Sequence, residues 1–479
     1  MSKPRYIELL SIAVLLLTPS VASAREQTIG APPEARNMVL VGSNDLQQRS
    51  AYQPTIYHQG DRWIAYIGHH GGTEENPRPV NPLTGKAEYN GTSIVDVTDP
   101  SKPVYLFHIP GQEGLGESGA AQMTRICSGS QLPKGDKSAT YLLRTFGNIA
   151  HEIWNVTNPS APTLVSRIDG LVDTHKSWWE CDGIAYLVSG NKEWRTRRMT
   201  QVYDLSDPAR PVKIRDFGLP GQQPGSTGTV PTELHGPISA GPELNRVFFG
   251  YGTNKGGILQ IVDRKKLISG ASEPTPENLK SPEVSQLALS PLVGAHTVLP
   301  LLKMPIPEFK NDKDGSTRDI VMIVDESLVN ECTEARQMVW FADITVESRP
   351  MVISNFTVDE ASGDFCTRGG RFGSHSVNEA TYPIFYKKVA FVTFFNAGVR
   401  AVDIRDPFRP KEIGYFIPPI TQATTKRCVK IDGADRCKTA IQSNNVETDD
   451  RGYVYVVDRA NTGLHIVQLS GDALKTIGQ

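Results

Sequence analysis

The sequence predicts an all-β fold, a seven-bladed β-propeller of four-stranded blades, on three observations. One motif recurs along the chain: SIVDVTDPSKP at Ser93 to Pro103, EIWNVTNPSAP at Glu152 to Pro162, QVYDLSDPARP at Gln201 to Pro211, QIVDRKK from Gln260, WFADITVESRP from Trp340, RAVDIRDPFRP from Arg400 and HIVQLSG from His465. Seven copies at intervals of roughly 50 to 80 residues mark a repeat architecture. That outweighs the two or three domains that 479 residues would otherwise suggest. Second, each interval holds short runs rich in Val, Ile, Phe, Tyr and Thr, broken by Gly, Asn, Asp and Pro, with hardly any helical periodicity. Third, runs such as SIVDV, FVTFF and YVYVV are apolar at nearly every position. Both faces must therefore be covered, as when small sheets stack radially.

Within each repeat the fourth motif letter sets the register, giving Asp96, Asn155, Asp204, Asp263, Asp343, Asp403 and Gln468. The Asp-Pro or Asn-Pro that follows in several copies ends the third strand, because Pro lacks an N–H and restricts the residue before it. The second Pro opens the outer strand, where a missing donor matters little. On this basis the blades are expected at 49–112, 119–171, 172–221, 232–270, 292–360, 372–420 and 438–470, so the propeller is expected at 49–470 with a tail at 471–479. The N-terminal segment at 25–48 is either a tail or the strand that closes the ring. Stretches 73–90, 128–138, 271–291, 305–318 and 421–438 are polar or rich in Pro and Gly, and read as loops. The Gly-rich run from Tyr251 to Gly257 joins two strands and reads as a turn.

Residues 1–24 have the layout of an export signal: Lys3 and Arg5, an apolar stretch from Leu9 to Leu17, then Ala22-Ser23-Ala24 as the cleavage site. The apolar run is short for a bilayer span, and no later run is long enough. The expectation is a periplasmic or secreted protein with no membrane span after cleavage. Six cysteines in an exported chain point to disulfides. Cys428 and Cys437 bracket a short loop and are the expected pair, while the connectivity of Cys127, Cys181, Cys332 and Cys366 stays open. A formal charge of -2 gives no basis for nucleic acid as a partner.

The repeats SIVDVTDPSKP, QVYDLSDPARP and RAVDIRDPFRP resemble those of the LVIVD-repeat family of exported bacterial β-propellers. The resemblance spans most of the chain and implies fold and export. Chemistry does not follow from it, since propellers host unrelated activities.

Histidines supply the chemical signal. His175, His235 and His375 precede their register residues by 29, 28 and 28 positions, and His296 opens the fifth blade the same way. Matching positions on innermost strands converge on the axis, so His175, His235, His296 and His375 are expected to ring one channel mouth. Imidazoles suit copper, iron or zinc rather than calcium or magnesium. The competing reading is four structural side chains bonded to neighbouring backbone. The loop joining strands two and three opens on the same face, and there stand His69, His70, Arg144, Lys192, Asn254, Asp325, Glu326, Asn396 and Arg459. Of these, His69 is expected as a fifth metal ligand, and His70, Glu326 and Lys192 as catalytic groups. His58, His108, His151 and His465 read as structural, and Trp178-Trp179 as packing between blades.

No nucleophile elbow, HExxH helix, Walker loop or dinucleotide fingerprint is present. The layout is similar to that of other seven-bladed propellers with axial histidines, among them carotenoid oxygenases, selenium-binding protein and periplasmic thiocyanate dehydrogenase. The expected function is a periplasmic oxidoreductase using copper first, iron or zinc otherwise, on a small-molecule substrate with a soluble electron carrier. The alternative is a non-enzymatic binding or scaffold propeller at the cell surface.

Overall fold

The computed structural model of the chain describes residues 26–306 and 317–478. The expected export signal and most of the 305–318 insertion lie outside them. Seven four-stranded antiparallel sheets stand in a ring, which is a seven-bladed β-propeller. Blade one is built from Ala51–Gln59, Arg62–His69, Thr92–Asp96 and Val104–Ile109, and the later blades repeat that order outward from the axis. In blade six the innermost segment is irregular, touching its neighbour through a bridge between Val377 and Val392.

The repeated motif has a repeated physical content. The register residue ends the third strand of blades one to six, and its side chain accepts a hydrogen bond from a main-chain N–H two or three residues on. Thr98 donates to Asp96 at 2.9 Å, Thr157 to Asn155 at 2.9 Å, Ser206 to Asp204 at 2.8 Å and Arg405 to Asp403 at 3.1 Å. A second such turn follows at Asp99, Asn158, Asp207 and Asp406. These side chains replace ladder partners that the turn removes. One or two residues before the register position, strands three and four slip by one residue in each of these six blades, as at Ile94/Val95 and Ala401/Val402. Such a bulge sharpens the local twist.

Blade four varies the scheme. Asp263 there caps the helix Arg264–Ser269 by accepting from the Lys266 N–H, and the outer strand is Glu283–Ala288, within the stretch read as an insertion. The 421–438 stretch is likewise no plain loop: Lys426–Ile431 pairs with Ala434–Thr439, and Cys428 faces Cys437 across the hairpin in a disulfide. Cys127–Cys181 staples blade two to blade three, and Cys332–Cys366 ties blade five's loop to the segment entering blade six.

The ring closes through the N-terminal segment. Glu34–Arg36 lies on the outer strand of blade six, and Met38–Asn44 pairs with Gly463–Leu469 as the outer strand of blade seven. Between them Asn37 turns the chain at φ 53°, a conformation Asn tolerates. Its Nδ2 donates to the Ile413 carbonyl at 2.8 Å and its own carbonyl accepts from Ser470 at 2.9 Å. Of the two alternatives for 25–48, the structure adopts the closing strand.

Apolar burial lies between blades, not on the axis. Seven buried clusters fill seven seams; Tyr186, Val188, Phe249 and Tyr251 pack between blades three and four, while Ala185 and Leu187 of the same strand face blade two. Period-two alternation thus commits both strand faces to seams. Side chains at the inner strand ends are left for the channel, and there the chain is polar. Among the described residues no helix is long and apolar enough to cross a membrane.

Candidate metal centre on the propeller axis

The innermost strands of blades three, five and six begin with the same contact. The N–H groups of His175, His296 and His375 donate to the carbonyls of Val188, Val324 and Thr393 at 3.0, 2.9 and 3.0 Å. In blade four His235 is the extra residue of a bulge between Leu234 and Gly236, which aims its ring inward. The rings follow one another around the axis: centroids lie 4.7 Å apart for His175 and His235, 3.8 Å for His235 and His296, and 4.5 Å for His296 and His375. All four are buried.

Hydrogen bonds fix which nitrogen carries the proton. His235 Nδ1 lies 3.1 Å from the His296 carbonyl and His375 Nδ1 2.6 Å from the Asn444 carbonyl. A carbonyl only accepts, so these Nδ1 atoms are protonated and each Nε2 presents a lone pair. His296 Nδ1 meets Thr297 Oγ1 at 2.8 Å, leaving its Nε2 inward. His175 Nε2 lies 3.1 Å from His235 Nε2; since the latter accepts, His175 donates. Burial is the largest effect on all four and holds their pKa values well below 6.5, so the rings are neutral, the state in which imidazole binds metal.

Glu326 closes the group. Its carboxylate oxygens lie 3.9 Å from His235 Nε2, 3.8 Å from His296 Nε2 and 3.6 Å from His375 Nε2. His235, His296 and Glu326 offer ligand atoms that all lie within 4.8 Å of one another. Burial pushes the Glu326 carboxyl up to about 7, opposed chiefly by the Arg371 guanidinium, whose Nη1 lies 3.2 Å away. The Nε2 atoms of His296 and His375, and both ring nitrogens of His70, are buried with no hydrogen-bond partner. Unpaired buried polar atoms are costly and uncommon.

His70 and His69 separate sharply. The His70 ring stands edge-on to Tyr52, centroids 4.9 Å apart, and Tyr52 in turn lies 5.7 Å from His175 and 6.0 Å from His375. His69, expected as a ligand, points into blade one instead: Nδ1 bonds the Ser50 carbonyl at 3.1 Å and Nε2 bonds Ser93 Oγ at 2.6 Å. Strand alternation explains this, since adjacent residues face opposite ways. Lys192 is exposed on its loop and does not reach the axis; Arg198, at the end of that loop, does. Arg144 is buried against Glu152 at 2.8 Å, and Asn396 Nδ2 holds the Phe365 and Gly369 carbonyls, so neither joins the site. Arg459 does. Sequence reasoning passed over Tyr52 and Asn444, which sit in inner-strand bulges of blades one and seven, and Arg371, four residues before His375.

Two further layers flank the ring. On one side a cavity of about 440 Å³ is lined by Tyr52, Glu117, His175, Arg198, Glu326 and Arg371 among others. On the other side the Lys176 ammonium bonds Thr297 Oγ1 at 2.7 Å and Glu379 at 2.6 Å, and Arg125 bonds the same carboxylate at 2.6 Å. Gly236 makes room for this lysine, because a Cβ there would meet Lys176 Cδ at 2.7 Å. The chain His296, Thr297, Lys176, Glu379 thus braces one ring of the centre from below.

No protein-family profile matches the chain, and no curated protein sequence does. Among solved structures it is similar to a hypothetical selenium-binding protein from Sulfolobus tokodaii, with 13% identity over 92% of each chain and a TM-score of 0.50. Weaker likenesses are to Sqt1 from Saccharomyces cerevisiae, at 7% identity over 92% of this chain and 100% of that one with a TM-score of 0.44. A catalytically inactive virginiamycin B lyase from Staphylococcus aureus with quinupristin gives 10% over 91% and 100%, with 0.43. At these identities the likeness concerns fold alone, and the fold is that of a seven-bladed β-propeller.

Proposed function

We propose that the axial group holds a transition-metal ion, copper first and iron or zinc otherwise, and that the protein is a metal-dependent oxidoreductase acting on a small molecule. The observation that carries this is the pair of unpartnered Nε2 atoms on His296 and His375, facing Glu326 beside His235. Neutral imidazoles with one carboxylate form a borderline donor set suited to these ions and ill suited to calcium or magnesium. His235, His296, His375 and Glu326 would hold the ion, joined by His175 once its Nε2 proton shifts to the unpartnered Nδ1, with His70 able to add a donor from above. A copper or iron ion supplies a one-electron couple that side chains alone lack. Glu326 stands where the cavity meets the histidines, so a substrate in the cavity would reach the ion beside it.

Three disulfides agree with export to an oxidising compartment, where a soluble carrier would exchange electrons with the centre. The name of the Sulfolobus neighbour concerns that protein; it lends no ligand to this one. The test is elemental analysis of the exported protein after equilibration with copper, iron or zinc, followed by electron paramagnetic resonance if copper is retained. A stoichiometric ion that is lost in His235→Ala and His375→Ala is the expected result. Protein that retains no ion, or retains it in both variants, leaves the binding or scaffold propeller as the better description.

A further inference from the structure

The cavity above the histidines is ringed by guanidinium groups, and one carboxylate from a neighbouring loop sits among them. Arg371 Nη2 lies 3.6 Å from Glu117 Oε1, and Arg459 Nη2 pairs with the same oxygen. Arg198 lines the cavity with Arg371 and Glu117, whereas Arg459 lines another cavity beside His70 and reaches this one through Glu117. The one hydrogen bond of the Arg198 guanidinium runs from Nε to the Asp173 carbonyl at 3.3 Å, and among the described residues it has no ion pair. A guanidinium offers five donors in a planar fork that matches carboxylates and oxyanions. Here most of that capacity is unused.

Glu117 rides on a glycine-rich loop. The stretch 111–120 reads GQEGLGESGA, with Gly114, Gly116 and Gly119 at φ of 153, 55 and 74°. Gln112 and Ala120 clasp its ends through paired main-chain bonds of 3.2 and 2.8 Å. Its tip is held by Gly116, through bonds of 3.1 and 2.7 Å with Gly72 and Gly71, and by Gln122 Nε2, which donates to the Glu117 carbonyl at 2.9 Å. The Glu117 side chain keeps 55% of its surface exposed, whereas Arg459 keeps 7%. The arginines are fixed in the channel wall; the carboxylate reaches them from solvent. The Arg459 charge is the largest effect on Glu117 and holds its carboxyl well below the usual range, so it stays anionic at working pH.

We propose that Arg198, Arg371 and Arg459 form the binding site of a small oxyanion, and that Glu117 is a tethered carboxylate occupying part of that site until such an anion displaces it. As the substrate class of the axial centre this rests on the oxidoreductase reading. As an anion site it stands on the arginines alone. The cavity places the anion against Glu326 and His175, and its size restricts the ligand to a small molecule.

The test is calorimetric titration of metal-free, full-length protein with sodium sulfate at low ionic strength, where such attraction is least screened. Wild-type protein should bind sulfate saturably. Glu117→Gln should bind at least roughly tenfold more tightly, because the competing charge is gone, and Arg198→Gln at least roughly tenfold more weakly. Both residues are partly exposed, and circular dichroism checks that the variants fold; Arg198→Lys, which keeps charge but loses the fork, should fall between. Glu117→Gln binding no tighter than wild type, or Arg198→Gln binding as well, overturns the proposal. Absence of metal from the parallel elemental analysis would sink the oxidoreductase reading while leaving a positive sulfate result to stand.

Discussion

The substitution Lys176→Met tests whether the layer beneath the histidines is built as described. The Lys176 ammonium, 1% exposed, lies 2.6 Å from Glu379 Oε1, and the Glu379 side chain is 2% exposed. Burial by itself would raise the Glu379 carboxyl; Arg125 and Lys176 overcome it and hold the value at about 2, against an ordinary 4.5. At about 1.4 kcal/mol per pH unit, that displacement corresponds to about 3 kcal/mol shared between the two cations. Methionine matches the lysine stem in length and leaves Glu379 with Arg125 alone, so the expected loss at about pH 6 is roughly 2 kcal/mol. The sign with pH follows. A carboxyl depressed in the folded state adds stability above its unfolded value of 4.5 and loses it as pH falls toward 2. The difference between wild type and variant should thus shrink by about two-fifths at about pH 3. Urea unfolding at both pH values measures it. The variant also frees Thr297 and so loosens His296, which should weaken metal retention roughly 10- to 100-fold in a chelator competition. A variant as stable as wild type at about pH 6, or equally destabilised at both pH values, would refute the ion-pair account.

Other outcomes follow from particular side chains. His70→Ala should lower metal occupancy or alter the paramagnetic spectrum, whereas His69→Ala should leave both unchanged and lower stability by about 2 kcal/mol through the two buried hydrogen bonds it removes; elemental analysis with thermal melts separates them. Gly68→Ala should fail to fold or lose more than about 2 kcal/mol, because a Cβ there would lie 1.9 Å from the Gln122 carbonyl oxygen of the next blade. Burial first, and Glu379 second, push the Glu447 carboxyl up to about 7, so its share of stability is present below 4.5 and is lost as pH rises through 7. Glu447→Gln should flatten that decline in urea titrations between those values.

How far the sequence disclosed this arrangement depends on which physical rule each residue obeys. Strand ends were visible because Asp and Asn side chains must cap the turn and Pro must follow. Axial convergence of His175, His235, His296 and His375 was visible because equal offsets in a repeat become equal radii in a ring. Where one residue of slippage matters, the signal failed: His69 and His70 are adjacent, and which faces the axis depends on strand phase, which an apolar run does not declare. Tyr52 and Asn444 reach the channel from bulges, and a bulge leaves no compositional trace. Arg198 ends the loop on which Lys192 was expected to act, and Arg371 precedes the inner segment of blade six, where no function was expected. Blade four's outer strand was read as a loop because a capped helix stands where the other blades have Asp-Pro.

The same geometry explains how the axial group can stay folded without its ion. Ordinarily a cluster of buried imidazoles would repel itself on protonation; here each of His235 and His375 gives its Nδ1 proton to a main-chain carbonyl of the next blade, so ring orientation is set by the same backbone that closes the seams. Desolvation keeps the rings neutral, and neutrality removes the repulsion. What desolvation cannot satisfy is the inward-facing Nε2, and His296 and His375 leave it without a partner. A propeller can hold such a deficit because its apolar clusters lie elsewhere, in seven seams independent of the channel. Stability and site are therefore separable in this fold: removing a single axial imidazole should empty the centre while barely lowering the melting temperature, and a large drop would mean that the ring is instead a structural hub.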